Sequence, residues 1–395
     1  MTDTAPPAAA ERTAWARSLQ TPLRRFLRTE TGSAAVLLGA TVVALAWANI
    51  APGGYQAVWR TTLSVTLGGA GVSLDLHGWV NSGLMTLFFL VVGLEARREF
   101  DLGELRERRR LALPLLAGLG GMVVPIAIFL AVNAGRSSAH GWGTAMSTDT
   151  AFALGMLALV APRSPDRLRS FLLTFSVVDD LTAIIIIALA YSRHITMPAL
   201  LAGLATLVVV LAVRLAGVRR GLVFAALGLV AWTAFVKSGV DPVVTGLAMG
   251  LLTPAYPAAR GELEQATARF RLFREQPTPE LARVASIDLA RTISPNERLQ
   301  ETFHPWTSYL IVPLFALANA GLVISGPFLA RSFTSPVTLG ILAGYVLGKP
   351  AGAAGVSWLV TVASRGRLRP PAGWASVTGA GTIAGIGFTV SLLIA

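Results

Sequence analysis

Eleven long apolar segments dominate this sequence of 395 residues. A transmembrane helix needs about 20 predominantly apolar residues, and the approximate cores of the segments are 33–50, 79–96, 111–134, 142–161, 170–191, 198–216, 221–237, 240–253, 305–324, 336–362 and 373–395. Charged residues make up only 14% of the chain, against about 25% in soluble domains, so too few are present to cover a water-facing surface. The sequence therefore predicts an all-α polytopic membrane protein and argues against a soluble enzyme.

The basic residues indicate how these spans are oriented. Of the 33 Lys and Arg residues, 27 lie in the N-terminal tail and in every second connection after it, 5 lie in the other connections, and Lys349 lies inside span ten. Cytoplasmic connections carry an excess of Lys and Arg, so the N-terminus is predicted to be cytoplasmic. Because the arginines fall between apolar segments, the partner they predict is the lipid bilayer and not nucleic acid.

The polar stretches suggest how the chain is divided. Residues 1–30 are predicted to be a cytoplasmic tail, and residues 31–395 the transmembrane domain. Residues 62–77 alternate apolar and polar side chains around a Gly-rich turn, which favours an extramembrane β-hairpin over a plain surface loop. An isolated hairpin is marginally stable in water, so it is expected to pair with something. Residues 254–304 are polar and are predicted to form a cytoplasmic insertion with helical stretches.

Four charged residues lie where the bilayer would surround them. Asp179 and Asp180 sit at the centre of span five, Asp149 follows Thr148 in the middle of span four, and Lys349 lies in span ten. A charge at the membrane midplane costs roughly 2.5–3.5 kcal/mol on insertion scales, so these residues are predicted to be functional, with Lys349 paired to one of the aspartates. The alternatives are a tight turn at the Asp pair, a simple helix cap at Asp149, and a lysine that reaches a distant headgroup.

Spans four and eleven are both predicted to be interrupted helices. Span four carries the N-cap residues STDT directly before an apolar run, and span eleven carries four glycines in its middle: Gly379, Gly381, Gly385 and Gly387. Unwound backbone within a membrane is tolerated around a polar cavity, and matching interruptions in two halves of a chain are typical of inverted-repeat transporters with the site between them. Close packing through small residues is the other explanation for the glycines.

A group of charges is predicted at the cytoplasmic end of span two. Glu95 and Glu99, with Arg98 between them, place two carboxylates on one helix face. An interfacial salt-bridge cluster and a cation-attracting, pH-responsive entrance both fit this pattern. Of the four histidines only His304 is predicted on the cytoplasmic side, where the simplest interpretation is an interfacial residue.

Six segments carry a family resemblance: STDTAFALGMLAL, VVDDLTAIIIIALAY, VGLEARREF, HPWTSYLIVPLFALANAG, GKPAG and GIGFTVSLLIA. They resemble the signature segments of the NhaA family of sodium/proton antiporters, over about residues 31–395. The resemblance implies an inverted-repeat fold with two crossed discontinuous helices, spans four and eleven, and a homodimer joined through the 62–77 hairpin. The family has twelve spans and eleven are predicted here, so the expected twelfth span is absent. A truncated reading or a degraded copy of a longer chain is therefore expected.

The resemblance also implies roles for the buried charges. Asp179 and Asp180 would bind the Na⁺ or Li⁺ ion and the exchanged protons, Asp149 with Thr148 would balance the helix ends, and Lys349 would pair with Asp179. The remaining residues would form the pH-responsive cytoplasmic mouth: Glu95, Arg98, Glu99 and His304.

The implied function is electrogenic, pH-regulated exchange of cytoplasmic Na⁺ or Li⁺ for external protons, with no cofactor and no enzymatic reaction. A buried carboxylate pair binds either a proton or a dehydrated cation, so exchange is obligatory if only the loaded states reorient. A passive cation channel and an intramembrane aspartyl protease are the alternatives. No filter-like segment is visible for a channel. For a protease, the expected Gly-x-Gly-Asp pattern is missing, and Lys349 would neutralise one acid.

Overall fold

The computed structural model describes residues 32–67, 70–102, 108–161, 166–192, 195–218, 220–256, 260–368, 370 and 373–394. The predicted tail, residues 1–30, lies outside the described residues. The helices of the described part are α1 (Gly32–Ile50), α2 (Pro52–Trp59), α3 (Leu76–Leu102), α4 (Arg108–Val132), α5 (Thr150–Val160), α6 (Asp166–Ala190), α7 (Met197–Leu215), α8 (Gly221–Ser238), α9 (Val243–Leu251), α10 (Arg260–Glu275), α11 (Pro279–Thr292), α12 (Pro295–Trp306), α13 (Val312–Asn319), α14 (Gly326–Thr334), α15 (Pro336–Ala363), α16 (Trp374–Ala384) and α17 (Thr389–Ile394).

Eight helical stretches among the described residues are long and apolar enough to cross a membrane. They belong to α1, α3, α4, α6, α7, α8, α15 and the α16–α17 pair, and they coincide with predicted spans one, two, three, five, six, seven, ten and eleven. Large apolar side chains on their outer faces, such as Val42, Leu201 and Leu222, are exposed, because lipid is the solvent for those faces. The prediction of a helical, multi-pass membrane protein is confirmed.

The other three predicted spans are present as shorter or divided helices. Span four consists of a 3₁₀ helix, Ser137–Ala145, and α5. Span eight is the nine-residue α9. Span nine begins in α12 and continues through a π-helical turn, Thr307–Ile311, into α13.

The short helix α9 is held against α3 by backbone-to-backbone packing. A Cβ atom added at Gly246 would overlap the carbonyl of Thr86, and one at Gly250 would lie 2.7 Å from the Cα of Gly93. Only residues without a side chain permit this approach, and close approach through small residues is how helices associate in lipid. This contact gives α9 the support that its length alone does not provide.

The predicted β-hairpin is present as two antiparallel strands, β1 (Thr62–Leu67) and β2 (Ala70–Asp75). Leu63 pairs with Leu74 and Val65 with Val72, so the apolar side chains of both strands share one face. The sequence pattern extended the second strand to Leu76, and that extension is wrong. Leu76 begins α3, because the Asp75 side chain accepts a hydrogen bond from the Gly78 N–H (2.7 Å) and caps the helix there.

The polar insertion contains a pair of helices, α10 and α11, which pack against each other. Arg269 Nη1 lies 2.6 Å from Asp288 Oδ2 and links the two helices. The predicted helical stretches are therefore present. Asn296, at the start of α12, donates to the Leu94 carbonyl of α3 (2.9 Å) and ties the end of the insertion to the spans.

Candidate functional site

The helical break in span four meets the break in span eleven at Asp149. Residues 147–149 and 386–388 are not helical, and the Asp149 N–H donates to the Ile386 carbonyl (2.8 Å). The Asp149 carboxylate caps α5 by accepting from the Phe152 N–H (3.1 Å), and it also accepts from the Thr389 N–H at the start of α17 (3.3 Å). One carboxylate therefore serves the positive N-terminal ends of two helices. Asp149 is a helix cap, as the simpler interpretation held, but it caps both breaks.

Lys349 and Asp179 lie together in the interior. Lys349 Nζ is 3.2 Å from Asp179 Oδ2, and both side chains are fully buried. The ammonium also donates to the Thr148 hydroxyl. Two buried opposite charges compensate each other, whereas either one left alone would carry a heavy desolvation cost. The structure thus brings the lysine of span ten to the first aspartate of span five and to the break in span four.

Asp180 points in a different direction from its neighbour. Adjacent residues of a helix are rotated by about 100°, and while Asp179 faces Lys349, Asp180 accepts a hydrogen bond from the Thr150 hydroxyl (3.2 Å). Asp180 also lines a cavity, which Asp179 does not. The two acids therefore have different neighbours: Asp179 has a counter-charge, and Asp180 has the Thr150 hydroxyl and the cavity.

The cavity extends from the predicted mouth to the two helix breaks. Its volume is about 70 Å³, enough for about five water molecules. At one end it is lined by Glu95 and His304. The polar residues at the other end are Thr148, Asp149, Thr150, Asp180 and Thr389. It connects the residues of the predicted mouth with a set of carboxylate and hydroxyl oxygens.

The residues predicted at the mouth are only partly brought together. Glu95 Oε1 lies 4.0 Å from His304 Nε2, an ion pair when the imidazole is protonated. Glu99 accepts a hydrogen bond from the Thr174 hydroxyl (3.3 Å) on α6. Arg98 is exposed and lies outside the cavity lining.

Five residues near the breaks were not identified from the sequence: Ser147, Thr150, Tyr345, Thr389 and Ser391. Thr150 and Thr389 line the cavity, and the other three form a hydroxyl cluster beside it. Ser147 and Thr150 belong to the STDT run, and Thr389 and Ser391 to GIGFTVSLLIA. For these four residues, the sequence signal that could have identified them was a hydroxyl side chain within a segment that had already been singled out. For Tyr345 it was a polar side chain four residues before the buried lysine.

The donor set at the closed end of the cavity suits a hard cation. Carboxylate and hydroxyl oxygens are ligands for such ions, and no soft or imidazole ligand is needed. Within the described ranges, no group of three or more His, Cys, Asp or Glu side chains has the arrangement of a resident metal site. The arrangement can hold a small cation or protons at Asp180, whose carboxylate accepts from the Thr150 hydroxyl and shares the cavity with Thr148 and Asp149.

The chain matches the sequence profile of a family described as Na⁺/H⁺ antiporter 1 over residues 24–395. It is 62% identical to Na(+)/H(+) antiporter NhaA 1 of Salinispora arenicola, over 97% of this chain and 59% of that protein. It is 60% identical to Na(+)/H(+) antiporter NhaA 3 of Salinispora tropica, again over 97% and 59%. A third relative, Na(+)/H(+) antiporter NhaA 3 of Frankia alni, is 42% identical over 94% of this chain and 81% of that protein. The chain spans about three-fifths of the length of the first two relatives. All three relatives are named as transporters and not as enzymes.

Proposed function

The chain belongs to the Na⁺/H⁺ antiporter 1 family, and from that premise we propose that it exchanges cytoplasmic Na⁺ or Li⁺ for external protons. The observation that carries this proposal is the position of Asp180. It lies in the middle of a membrane-spanning helix, at the inner end of a cavity whose mouth carries Glu95 and His304. The carboxylate lines this cavity and accepts a hydrogen bond from the Thr150 hydroxyl. The relatives are named Na(+)/H(+) antiporters, which supports exchange of Na⁺ for protons.

Exchange follows from competition for the same oxygens. A proton on Asp180 removes the negative charge that a Na⁺ ion needs, and a bound Na⁺ ion excludes the proton. The Thr148 and Thr150 hydroxyls and the Asp149 carboxylate are close enough to the cavity to complete the ligand set. Coupling then requires that the unloaded site does not reorient, since an empty, charged carboxylate in the low-dielectric interior is costly.

The Asp179–Lys349 pair supplies a second titrating centre beside the first. If the entering cation displaces one proton from Asp180 and a second from this pair, each cycle moves one net positive charge. We therefore infer electrogenic exchange, driven by the membrane potential as well as by the proton gradient. The tight placement of Lys349 against Asp179 also counts against a protease, which needs both acids free to activate water.

The mouth is proposed to make the exchange pH-regulated. Glu95 and His304 face each other across 4.0 Å, and Glu99 and Arg98 lie one turn further along α3. Protonation of the imidazole changes the local charge at the entrance by one unit, in the pH range where histidine titrates. A less negative entrance attracts fewer cations, so activity is expected to fall as the cytoplasm becomes acidic.

The architecture proposed for this function is an inverted repeat in which spans four and eleven cross at their breaks. The mutual contacts of Asp149, Ile386 and Thr389 support this arrangement. We further propose a homodimer through the 62–77 hairpin, whose Leu63 and Val65 side chains are exposed. In the bacterial inner membrane the N-terminus is proposed to be cytoplasmic, with the domain 31–395 in the bilayer.

The test is transport in proteoliposomes that contain the purified protein and an internal pH dye. Addition of Na⁺ or Li⁺ on one side should move protons in the opposite direction, and K⁺ serves as the comparison ion. A current driven by voltage alone, without proton movement, would identify a channel, and cleavage of an added peptide would identify a protease. Either result in place of cation-driven proton movement would refute the proposal.

A further inference from the structure

A cluster of hydroxyl groups lies immediately behind the closed end of the cavity. The Tyr345 hydroxyl donates to the Thr144 carbonyl (2.6 Å) and lies 2.5 Å from the Ser391 Oγ. The Ser391 Oγ also lies 3.0 Å from the Thr144 carbonyl oxygen and 2.6 Å from the Ser147 Oγ. Three segments far apart in the sequence thus share one hydrogen-bond network: the 3₁₀ half of span four, α15 and α17.

The cluster is placed where the cavity stops. Thr148 and Thr389 line the cavity, whereas the adjacent Ser147 and the nearby Ser391 do not. The network therefore joins the 3₁₀ half of span four to α17, on the side of the breaks that faces away from the mouth. A cation that leaves the site on that side must pass this network. No room is left at this point, because a Cβ atom added at Gly387 would overlap the Tyr345 hydroxyl.

Tyr345 also contacts the buried ion pair. Lys349 follows it by one helical turn, and Lys349 Nζ lies 5.8 Å from the centre of the Tyr345 ring, within the range of a cation–π interaction. The same ammonium binds Asp179 and Thr148. Tyr345 therefore contacts both Lys349, which is the counter-charge of Asp179, and the hydrogen-bond network at the closed end of the cavity.

We propose that Tyr345 is a positioning residue that keeps the far side of the site closed while Lys349 rests on Asp179. Its hydroxyl holds the 3₁₀ half of span four to α17, and its ring supports the ammonium. When the site opens on the far side, the hydrogen bonds to Thr144 and Ser391 break. This inference rests on the proposed exchange function, because only a transporter needs the closed end of the cavity to open.

The absence of cysteine from the chain permits a direct test. Thr389→Cys places a single thiol at the closed end of the cavity, and a membrane-impermeant maleimide added from the far side measures how often that end opens. In the Thr389→Cys background, Tyr345→Phe should raise the far-side labelling rate about fivefold, the effect expected from the loss of one or two hydrogen bonds. Labelling from the mouth side should not rise.

Two further variants distinguish the effect of the Tyr345 hydroxyl from the effect of the Tyr345 ring. Ser391→Ala removes the partner hydroxyl but keeps Tyr345, and it should raise far-side labelling in the same direction. Tyr345→Leu removes the ring as well, so it should add a shift in the pH dependence of thermal stability that Tyr345→Phe lacks. These variants keep the proposal testable if one of them fails to fold.

Tyr55→Phe is the matched control. The Tyr55 hydroxyl is buried and donates to the carbonyls of Leu317 and Ala318, both 2.8 Å away. Burial raises the pKa of the Tyr55 phenol, so the group stays protonated in an alkaline assay and the control loses a comparable set of hydrogen bonds. Its far-side labelling should equal that of the parent.

The outcomes distinguish this inference from the proposed function. An unchanged far-side rate in Tyr345→Phe and Ser391→Ala, or an equal rise in Tyr55→Phe, would overturn the positioning role even if exchange is normal. Raised labelling only in the Tyr345 and Ser391 variants supports it. A parent protein that shows no cation-driven proton movement would overturn the proposed function, whatever the labelling rates are.

Discussion

Removal of the Lys349 charge should destabilise the protein by an amount that the ion-pair geometry sets. Lys349→Met keeps most of the side-chain volume and removes the ammonium, leaving Asp179 buried without its partner. At 3.2 Å and an effective dielectric constant of about 20, the lost attraction is about 5 kcal/mol. Breaking buried pairs by removing one partner costs about 3–5 kcal/mol. We therefore expect Lys349→Met to lose several kcal/mol of stability and several degrees of melting temperature.

A double-mutant cycle measures this interaction apart from any change in packing. Asp179→Asn should also destabilise the protein, because it leaves the lysine buried and uncompensated. The double variant carries no buried charge at this position, so it should recover much of the loss, as replacements of whole buried pairs often do. The assay is thermal unfolding of the purified protein in detergent at one fixed scan rate, with a second series at acidic pH. Acid should reduce the loss in Lys349→Met, since protonation neutralises the stranded carboxylate.

The reasoning fails if the cycle shows no coupling. A Lys349→Met variant as stable as the parent would mean that the ammonium does not compensate Asp179. If the stability loss of the double variant equals the sum of the losses of the two single variants, the losses come from packing and not from charge.

Three other predictions follow from individual contacts. Asp180→Asn should abolish exchange while the protein still inserts and folds, because it keeps the shape and removes the titrating group; transport and gel filtration of the same sample check this. Gly246→Ala should lower the melting temperature because its methyl group overlaps the α3 backbone, whereas Gly39→Ala, which meets open space, should leave it unchanged. Glu95→Gln removes the carboxylate opposite His304, so the pH profile of exchange should shift without loss of the maximal rate; an unchanged profile would remove Glu95 from the proposed regulation.

Local patterns in the sequence predicted most of the fold. The period-two alternation in 62–77 predicted the β-hairpin, because strand pairing across a short turn is a local property, but it did not give the register, in which Leu67 pairs with Ala70. Apolar length predicted the long spans, because the bilayer sets that length. The end of β2 was missed, since the cap that Asp75 makes with Gly78 competes with the alternation at Leu76.

The site was predictable in its parts but not in its arrangement. Charges in apolar helices identify Asp179, Asp180 and Lys349, since such charges are costly. The residues alone do not say how α6 is rotated, so they left open which aspartate meets the lysine, and only the family resemblance implied Asp179. Tyr345 could not be paired with Thr144 and Ser391, because contacts between segments separated by tens to hundreds of residues depend on tertiary packing, which has no local signature. Arg98 was grouped with Glu95 by sequence proximity, yet its side chain points out of the cavity.

The central claim is that a cation and protons compete for the carboxylates of one cavity, and proton release on cation binding tests it most directly. The purified protein, in weakly buffered detergent solution with a pH dye, is mixed with NaCl and, separately, with an equal concentration of choline chloride. The account predicts that Na⁺ releases protons from the parent protein, that choline releases none, and that Asp180→Asn greatly reduces the release. Saturable Na⁺ binding with no proton release, or release that persists in full in Asp180→Asn, would contradict it.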